Sequence, residues 1–388
     1  MRYEQQLKTF LRVLNEYPAN TPLTKFLPVF FKKNKQMGST DRRTAGRLLY
    51  SFFRLGQAAK HLPAEQRLFL GEFLCSTNDN PFFQHFRPDL NEQIGLSLPE
   101  KIKLLKEKEG FDLKTVFPFI SHLSSEIKPR DFLTSFFVQP DLYIRMHSGR
   151  ENLVKQRLKE MEILFQETGE HTLALPNGTK LDKIFTDGQL FYVQDLSSQK
   201  TLEYFKPKRY DSWWDACAGS GGKSLLLFSE EPDIKLLVSD IRESILNNLD
   251  ERFIEAGLRT YQKKVIDLCQ NPDPILHHYQ FGGIILDAPC SGSGTWSRTP
   301  EMISQFEEYK ISGFQNLQKT IAANVIKYLK PGKPLIYITC SVFKQENEEV
   351  VNYLVTEHGL KLEAQELIKG YEHKADTMFV ARLSTALL

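Results

Sequence analysis

The sequence predicts a doubly wound α/β sheet in its second half, preceded by a small α+β segment and an all-helical region. From about residue 210 onward, short apolar stretches alternate with longer helical ones, as parallel strands alternate with helices. The short stretches are apolar on both faces, which is typical of strands covered by helices on either side. Four of them end in an acid or lead into a glycine loop. Because ligands of such sheets bind beyond the carboxyl ends of the strands, the pattern predicts a binding site there.

Three domains are expected along the 388 residues. Residues 1–130 read as a helical domain, residues 131–200 as a small α+β segment, and residues 201–388 as the doubly wound domain. A chain of this length is expected to form two or three domains. No apolar run is long enough to span a bilayer, so we expect a cytosolic protein with no membrane partner.

The helical region carries most of the positive charge. Residues 1–60 contain twelve Lys and Arg against three acids, whereas the whole chain has a net charge of only +2. In the stretch "STDRRTAGRLLYSFFRL", helical spacing places Arg43, Arg47 and Arg54 away from the apolar positions. Such an arginine stripe is suited to a phosphate backbone, so we expect a polyanionic partner.

The segment that follows predicts a small mixed structure. A strand is expected at 142–146, a helix over 150–161, and then two strands joined by an Asn177-Gly178 turn. Arg145 lies at the end of the first strand, where we expect it to face nucleic acid.

The doubly wound domain begins with a glycine loop, "DACAGSGGKS". Glycines allow a ligand close to the backbone, and the helix that follows offers free N–H groups. The next three strands are expected to end at Asp240, Asp267 and Asp287. An acid about 20 residues after the loop suits a ribose diol. Repeated acids disfavour a pyrophosphate and favour a cationic ligand, and S-adenosylmethionine carries both a cation and a ribose.

Two cysteines follow neighbouring strands of the predicted sheet. Cys290 stands in "ILDAPCSGSG" and Cys340 in "YITCS". Adjacent strands lie about 5 Å apart, so both thiols are expected to face one pocket. The five cysteines show no disulfide or zinc spacing, and we expect no metal. A free cysteine taken alone is more often a small buried apolar residue.

A methyl donor beside a thiolate indicates methylation at C5 of a pyrimidine. That carbon becomes nucleophilic only after a thiolate adds to C6. Activation of the thiol is expected to need a nearby positive charge or a helix N-terminus. Asp287 is placed to bind either the N3/N4 edge of cytosine or the amino group of the donor. This chemistry by itself does not decide which cysteine attacks.

These motifs resemble the Sun (Fmu) family of RNA cytosine-C5 methyltransferases, most closely its ribosomal-RNA small-subunit methyltransferase B branch. The glycine loop, "ILDAPCSGSG" and "YITCS" carry the resemblance, together with "VQDLSSQ" and "HKADTMFVARL". It covers residues 140–388. The helical domain is similar, more loosely, to the NusB-like RNA-binding domain of that branch. The resemblance implies a Rossmann-type catalytic domain, an RRM-like α+β segment, and a NusB-like helical domain.

The resemblance also implies roles for individual residues. Cys340 would attack C6, Cys290 would assist release of the methylated RNA, and Asp287 would serve both catalysis and cofactor binding. The other residues implied to bind S-adenosylmethionine are Cys217, Ala218, Gly219, Ser220, Gly221, Gly222, Lys223, Asp240 and Asp267. The sequence departs from the family in having Gly219-Ser220 for alanine-proline and Thr377-Met378 for glycine-phenylalanine.

The expected function is therefore methylation of cytosine C5 in RNA, with 16S ribosomal RNA as the partner before the subunit is fully assembled. A monomer is expected. Transfer RNA is the alternative substrate. A non-catalytic RNA-binding or antitermination factor is the alternative from another class, since the helical domain alone would suffice for it.

Overall fold

A computed structural model describes residues 2–19, 21–185 and 190–386. Its helices are α1 Arg2–Glu16, α2 Leu23–Lys33, α3 Ser39–Arg54, α4 Ala64–Cys75, α5 Pro81–Phe86, α6 Pro88–Asn91, α7 Leu98–Glu109, α8 Pro129–Ser135, α9 Glu151–Glu160, α10 Leu181–Ile184, α11 Leu196–Lys200, α12 Gly222–Glu230, α13 Glu243–Glu255, α14 Asp273–Leu276, α15 Glu301–Gln305, α16 Tyr309–Val325 and α17 Glu348–His358. Its strands are β1 Leu142–Met146, β2 Gln166–Gly169, β3 Thr172–Leu175, β4 Phe191–Val193, β5 Ser212–Asp215, β6 Lys235–Asp240, β7 Tyr261–Val265, β8 Gly283–Asp287, β9 Pro334–Thr339, β10 Lys361–Ile368 and β11 Met378–Ser384. None of the helices in these ranges is both long and apolar enough to cross a bilayer.

The chain divides into two compact units. The helical unit consists of 1–123, 128–139 and 295–308, and the sheet unit consists of 124–127, 140–294 and 309–388. The division into domains 1–130, 131–200 and 201–388 stays a prediction.

The helical unit is built around α3, whose apolar face is buried as its spacing predicts. Leu48 and Leu49 are fully buried, and the ring of Phe52 lies 5.5 Å from that of Phe10 in α1. Helix α4 crosses α3 closely at Gly71, where an added Cβ would lie 2.2 Å from the Ser51 carbonyl oxygen. Only glycine allows this approach, because any side chain would collide with the backbone of α3.

The expected arginine stripe on α3 is wrong at Arg54. This side chain is only 3% exposed, and it donates to the carbonyl oxygens of Phe136 and Val138 and to Gln139 Oε1. Carbonyl groups near the end of α8 lack donors within the helix. A buried guanidinium is stable only when its N–H groups donate to acceptors such as these. Arg54 therefore braces the helical unit and is not available to a phosphate backbone.

The helical unit includes a segment that follows the Cys290 loop in the sequence. Trp296 is buried, with its ring 5.8 Å from that of Phe117 and 4.9 Å from that of Phe306. The Glu301 carboxylate accepts from the backbone N–H of Leu23 at the start of α2. Carboxylates are favoured at helix N-termini because the first N–H groups lack partners there.

The sheet unit contains a four-stranded antiparallel sheet in the order β2-β3-β1-β4. Strand β1 and helix α9 lie where the sequence predicts them. The expected second strand of the Asn177-Gly178 hairpin is wrong, because α10 follows that turn and β3 pairs with β1 and β2 instead. The likeness of this segment to an RRM, and of the helical unit to NusB, remain predictions.

The second sheet has seven strands in the order β10-β11-β9-β8-β5-β6-β7, which confirms the predicted Rossmann-like fold. The five strands from β9 to β7 are parallel, and β10 and β11 add an antiparallel edge. Trp213 and Trp214 of β5 are fully buried in its centre. The chain runs from β5 to β6 and β7 on one side, and later adds β8 and β9 on the other. The loops after β5 and β8 therefore meet at the topological switch point, where such sheets bind ligands.

Candidate active site

The glycine loop after β5 combines one tightly packed glycine with one that faces open space. Gly219 and Gly221 have φ values of +53° and +82°, in the left-handed region. A Cβ on Gly221 would lie 2.4 Å from the ring of Phe253, whereas a Cβ on Gly219 would meet no atom within 4 Å. The loop is therefore fixed on its inner side and open at Gly219, where a ligand has access to the backbone.

Asp240, at the end of β6, lies beside this loop as the sequence predicts. Its carboxylate accepts from Gly219 N at 3.0 Å, and from Arg242 through its backbone N, Nε and Nη2 at 2.9 to 3.0 Å. Burial favours a raised pKa, but the hydrogen bonds and charge of Arg242 outweigh it and hold the pKa of Asp240 below its usual value. Asp240 is therefore an ionised acceptor at neutral pH.

Lys223, at the start of α12, connects the glycine loop to Asp287. Its side chain is buried, and Nζ donates to Asp287 Oδ2 at 3.1 Å and to Ser198 Oγ at 2.9 Å. Asp287 is partly exposed, with a side-chain accessibility of 31%. The lysine thus holds one carboxylate oxygen of Asp287 while the acid stays accessible.

Cys217 and Ala218 lie in the glycine loop after β5. Asp267 forms no hydrogen bond to this loop among the residues that the structure describes. Ala218 N donates to the Ser239 carbonyl oxygen at 2.8 Å, which attaches the loop to β6. Burial and three nearby carboxylates raise the pKa of the Cys217 thiol well above its ordinary value. Strand β7 ends at Val265, two residues before the predicted end, and Asp267 accepts from Cys269 N in the following turn. Ile266, which follows β7 directly, is buried, whereas β7 itself is mostly exposed.

The two cysteines meet at the ends of β8 and β9. These strands are parallel neighbours, with Asp287 paired in register with Ile338. The Sγ atoms of Cys290 and Cys340 are 3.3 Å apart. The Cys340 thiol, burial and the charge of Glu346 together raise the pKa of Cys290 well above its ordinary value. Cys290 is therefore a neutral thiol at neutral pH.

Comparisons with known proteins agree with this arrangement. Residues 202–384 match the family described as 16S rRNA methyltransferase RsmB/F. Ribosomal RNA small subunit methyltransferase B of Shewanella oneidensis is 31% identical over 229 residues, which cover 55% of this chain and 52% of that protein. The protein of the same name from Proteus mirabilis is 27% identical over 253 residues, covering 63% and 59%.

Residues 202–384 of the chain thus resemble the RsmB/F family of methyltransferases. The chain spans only about half the length of the first of these curated relatives in alignment.

Solved structures share the fold of this chain. PH0851 superposes with a TM-score of 0.70 at 19% identity, over 96% of both chains. NSun6 from Pyrococcus horikoshii, crystallised with SFG, gives a TM-score of 0.59 at 17% identity, over 69% of this chain and 97% of that one.

One departure from the family pattern is compensated by a contact. Ser220 occupies the position of the family's proline, and Arg252 Nη1 donates to its carbonyl oxygen at 2.8 Å and to its Oγ at 2.7 Å. These two bonds restrain the backbone at a position where proline would restrict φ covalently.

The second departure lies beside the Cys340 loop. Thr377 N donates to the Gly294 carbonyl oxygen, and Gly294 N donates to the Cys340 carbonyl oxygen. A Cβ on Gly294 would lie 2.0 Å from the Thr377 carbonyl oxygen. Met378 is buried within the apolar core of the sheet. Met378 thus packs as part of this core, and the Thr377 backbone binds Gly294.

Arg145 does not face nucleic acid as expected. It is only 9% exposed, and its Nε and Nη1 donate to Gln194 Oε1 and Ser229 Oγ. Burial lowers its pKa to about 10, so the guanidinium is still charged at neutral pH. Gln194 in turn donates to the Gly222 carbonyl oxygen at 3.2 Å. Arg145 in β1 therefore supports α12, directly at Ser229 and through Gln194 at Gly222.

Sequence reasoning missed two buried acids near the site. Asp215, at the end of β5, is fully buried and accepts from Ser224 Oγ at 2.7 Å, and desolvation raises its pKa to about 7. Glu346 is fully buried between the two cysteine loops. An acid directly at a strand end was a signal for Asp215. Glu346 stands in "KQENEE", where three acids in four residues conceal the one that is buried.

Proposed function

We propose that this protein transfers the methyl group of S-adenosylmethionine to C5 of a cytosine in RNA, with 16S ribosomal RNA as substrate. The observation that carries the proposal is the approach of the Cys290 and Cys340 thiols to 3.3 Å, at the strand ends next to Asp287. A thiol pair beside a carboxylate at the switch point of the sheet supplies the groups that activation of a pyrimidine C5 needs.

The residues of the glycine loop fit S-adenosylmethionine. Gly219 offers backbone with open space beside it, and the ionised Asp240 stands next to it to accept from a ribose diol. The carboxylates of Asp240 and Asp287 suit a cationic ligand. Cys217, Ala218, Ser220, Gly221, Gly222, Lys223 and Asp267 are the other residues proposed to form this site. When bound, S-adenosylmethionine supplies an electrophilic methyl group.

Cys340 is the proposed nucleophile. Its thiolate adds to C6 of the cytosine, which forms an S–C6 bond and leaves C5 electron-rich. After methylation a base removes the C5 proton, the S–C6 bond breaks, and Cys340 leaves as the thiolate. The raised pKa of Cys290 supports the second role for that residue, since a neutral thiol can exchange a proton during release but attacks poorly.

Asp287 is proposed to orient the reacting base. One of its oxygens is held by Lys223, and the side chain remains partly exposed. Cytosine presents donors at N4, and also at N3 when protonated, so a fixed carboxylate can bind that edge. A ring carbon is accessible only when the base leaves its stack, which requires other parts of the protein to grip the RNA.

The helical unit and the four-stranded sheet are the proposed RNA-binding regions. Besides the buried Arg54, eleven basic residues among the first 60 give the helical unit a positive charge that suits RNA binding. The relatives described above are named as methyltransferases of small-subunit ribosomal RNA, which favours that RNA as substrate.

Bisulfite sequencing of total RNA tests the proposal. A strain that lacks the gene should lose one 5-methylcytosine from 16S ribosomal RNA, and the purified protein with S-adenosylmethionine should restore it. An unchanged ribosomal profile with a lost transfer-RNA site would support transfer RNA instead. Failure of the protein to bind S-adenosylmethionine in calorimetry would contradict a methyltransferase and favour a non-catalytic RNA-binding factor.

A further inference from the structure

Glu346 connects the loop that carries Cys290 to the loop that carries Cys340. Its side chain is fully buried, and Oε2 accepts from the backbone N–H of Ser291 at 2.8 Å. Its other oxygen, Oε1, accepts from Ser341 Oγ at 2.8 Å. Ser291 and Ser341 are the residues immediately after the two cysteines. One carboxylate therefore binds both loops, each at one residue from a thiol.

The same carboxylate is joined to helix α16 through Gln318. The Nε2 of this buried glutamine donates to Glu346 Oε2 at 3.0 Å and to the Pro289 carbonyl oxygen at 3.0 Å. Cys290 is thus held on both sides, at Pro289 by Gln318 and at Ser291 by Glu346. A backbone fixed at both flanking residues leaves the cysteine side chain little freedom.

Serine hydroxyls complete the connection between the loops. Ser341 Oγ lies 3.3 Å from Ser291 Oγ and 3.2 Å from Ser293 Oγ, and Ser293 Oγ accepts from Val342 N at 2.9 Å. All three serines are buried. The hydroxyls need acceptors in this dry environment, and Glu346 is the acceptor for Ser341.

We propose that Glu346 is a positioning residue that sets the distance between the Cys290 and Cys340 thiols. The geometry applies to the protein whatever it methylates. The catalytic consequence rests on the proposed function, because only there do the two thiols act on one base.

The cost of burying this acid supports a specific role. Burial raises the pKa of Glu346, although the bonds from Ser291, Ser341 and Gln318 oppose the shift. Around the Cys290 thiol, the groups that raise its pKa are Cys340 and Glu346. The side chain is long enough to accept from two loops and a helix at once, and this shared contact indicates a need for fixed geometry.

Oxidation of the purified protein by diamide measures the thiol distance without RNA or S-adenosylmethionine. Diamide accepts the two electrons and two protons released when Cys290 and Cys340 join, and mass spectrometry of peptides detects the disulfide. We expect the wild-type protein to form it rapidly, because the sulfurs are already 3.3 Å apart. Glu346→Ala should slow this reaction at least tenfold. An unchanged rate in a folded Glu346→Ala protein would overturn the proposal.

If Glu346→Ala fails to fold, two further variants distinguish the contribution of the length of the Glu346 side chain from that of its charge. Glu346→Gln keeps the length of the side chain and one acceptor oxygen, whereas Glu346→Asp keeps the charge but is one methylene shorter. The proposal expects Glu346→Gln to form the disulfide within about threefold of the wild-type rate and Glu346→Asp to be slower. A faster rate for Glu346→Asp than for Glu346→Gln would contradict it.

Glu349→Gln is the matched control. This carboxylate, three residues further on, also accepts from a glutamine of α16, Gln315 at 2.8 Å. The control should oxidise like the wild type. In methylation assays Glu346→Ala should lower kcat at least tenfold with the KM for S-adenosylmethionine unchanged. If the wild-type protein methylates no RNA, the proposed function fails while the oxidation result still decides the role of Glu346.

Discussion

The two units bury charged side chains for different purposes. In the helical unit, Arg54 donates to backbone carbonyl groups, and Glu301 accepts from a backbone N–H at a helix start. In the sheet unit, Asp215, Asp240 and Lys223 lie at the carboxyl ends of strands β5 and β6 or at the start of the next helix. Burial of a charge therefore does not by itself mark a site. A buried charge at a strand end, beside an open glycine loop, is the combination that does.

The largest expected effect comes from the two cysteines of the sheet unit. Cys340→Ala should lower methylation by at least about 1,000-fold and form no covalent RNA adduct, because the thiol proposed to attack C6 is lost. Cys290→Ala should accumulate an adduct, because release is impaired. Denaturing gels of protein with labelled RNA measure both.

Cys75→Ala, in the helical unit, is the control for the cysteine variants and should methylate like the wild type. Adducts with the Cys340 variant instead of the Cys290 variant would reverse the assignment of roles.

Arg54→Met tests the structural charge of the helical unit. The substitution leaves the Phe136 and Val138 carbonyl oxygens without their donor, so the free energy of unfolding should fall by about 2–3 kcal/mol. Urea unfolding measures this loss. The affinity for S-adenosylmethionine, measured by calorimetry on the folded protein, should stay the same.

Arg43→Met is the matched control on the same helix, since Arg43 is exposed. It should change the unfolding free energy by less than about 0.5 kcal/mol. An equal loss in both variants would show that burial of Arg54 contributes nothing.

Asp215→Asn should change the pH dependence of stability. The pKa of Asp215 is about 7 in the folded protein, above its ordinary value, so the folded state retains a proton that the unfolded chain releases. The stability from this group is complete below about pH 4 and is lost as pH rises towards 7, by at most about 1.4 kcal/mol per pH unit. The free energy of unfolding of Asp215→Asn, relative to that of wild type, should therefore increase as pH rises from 5 to 7.

Urea unfolding at pH 5, 6, 7 and 8 measures this difference. Arg54→Met serves as a reference. The Arg54 guanidinium of the wild-type protein stays charged across this pH range, so the loss of stability in the variant should not vary with pH. A constant difference between Asp215→Asn and wild type would contradict the raised pKa.

Arg242→Ala should have the smallest effect, a two- to fivefold gain in affinity for S-adenosylmethionine. The Arg242 side chain makes two hydrogen bonds to the Asp240 carboxylate, so a ribose hydroxyl that donates there must displace it, whereas the bond from the Arg242 backbone N–H remains in the variant. The side chain of Arg242 is 58% exposed, which makes displacement inexpensive and the gain modest. Calorimetry measures it.

Arg209→Ala is the control for Arg242, because Arg209 is an exposed arginine that pairs with Asp233 before strand β6. Weaker binding by Arg242→Ala would show that Arg242 assists the ligand.

Local patterns in the sequence were sufficient for much of the sheet unit. Apolar runs ending in Asp240 and Asp287 predicted strands whose ends the structure confirms, because both residues stop a buried strand at the point where the chain leaves the core. The adjacency of Cys290 and Cys340 followed from the strand order that this fold imposes. The hairpin at Asn177-Gly178 failed because the turn signal says nothing about what the next residues pack against.

The predicted environments of Arg54 and Arg145 were also wrong. Helical spacing correctly separated Arg54 from the apolar face of α3, but the side chain is buried by residues 136–139, more than 80 positions away. Arg145 was similarly misjudged, since Gln194 and Ser229 approach it from other parts of the chain. Arginine has no fixed environment, because its charge is satisfied equally by solvent, phosphate or carbonyl groups.

The sequence by itself determined the doubly wound sheet, the glycine loop and the two cysteines, because strand period, turn residues and motif spacing are local properties of a chain. Only the tertiary structure decided which charges are buried and what they hold. Glu346 and Glu349 are indistinguishable in "KQENEE", yet only Glu346 is fully buried between the cysteine loops. The free energy of a buried charge depends on donors that folding brings from distant segments, and no local pattern records them.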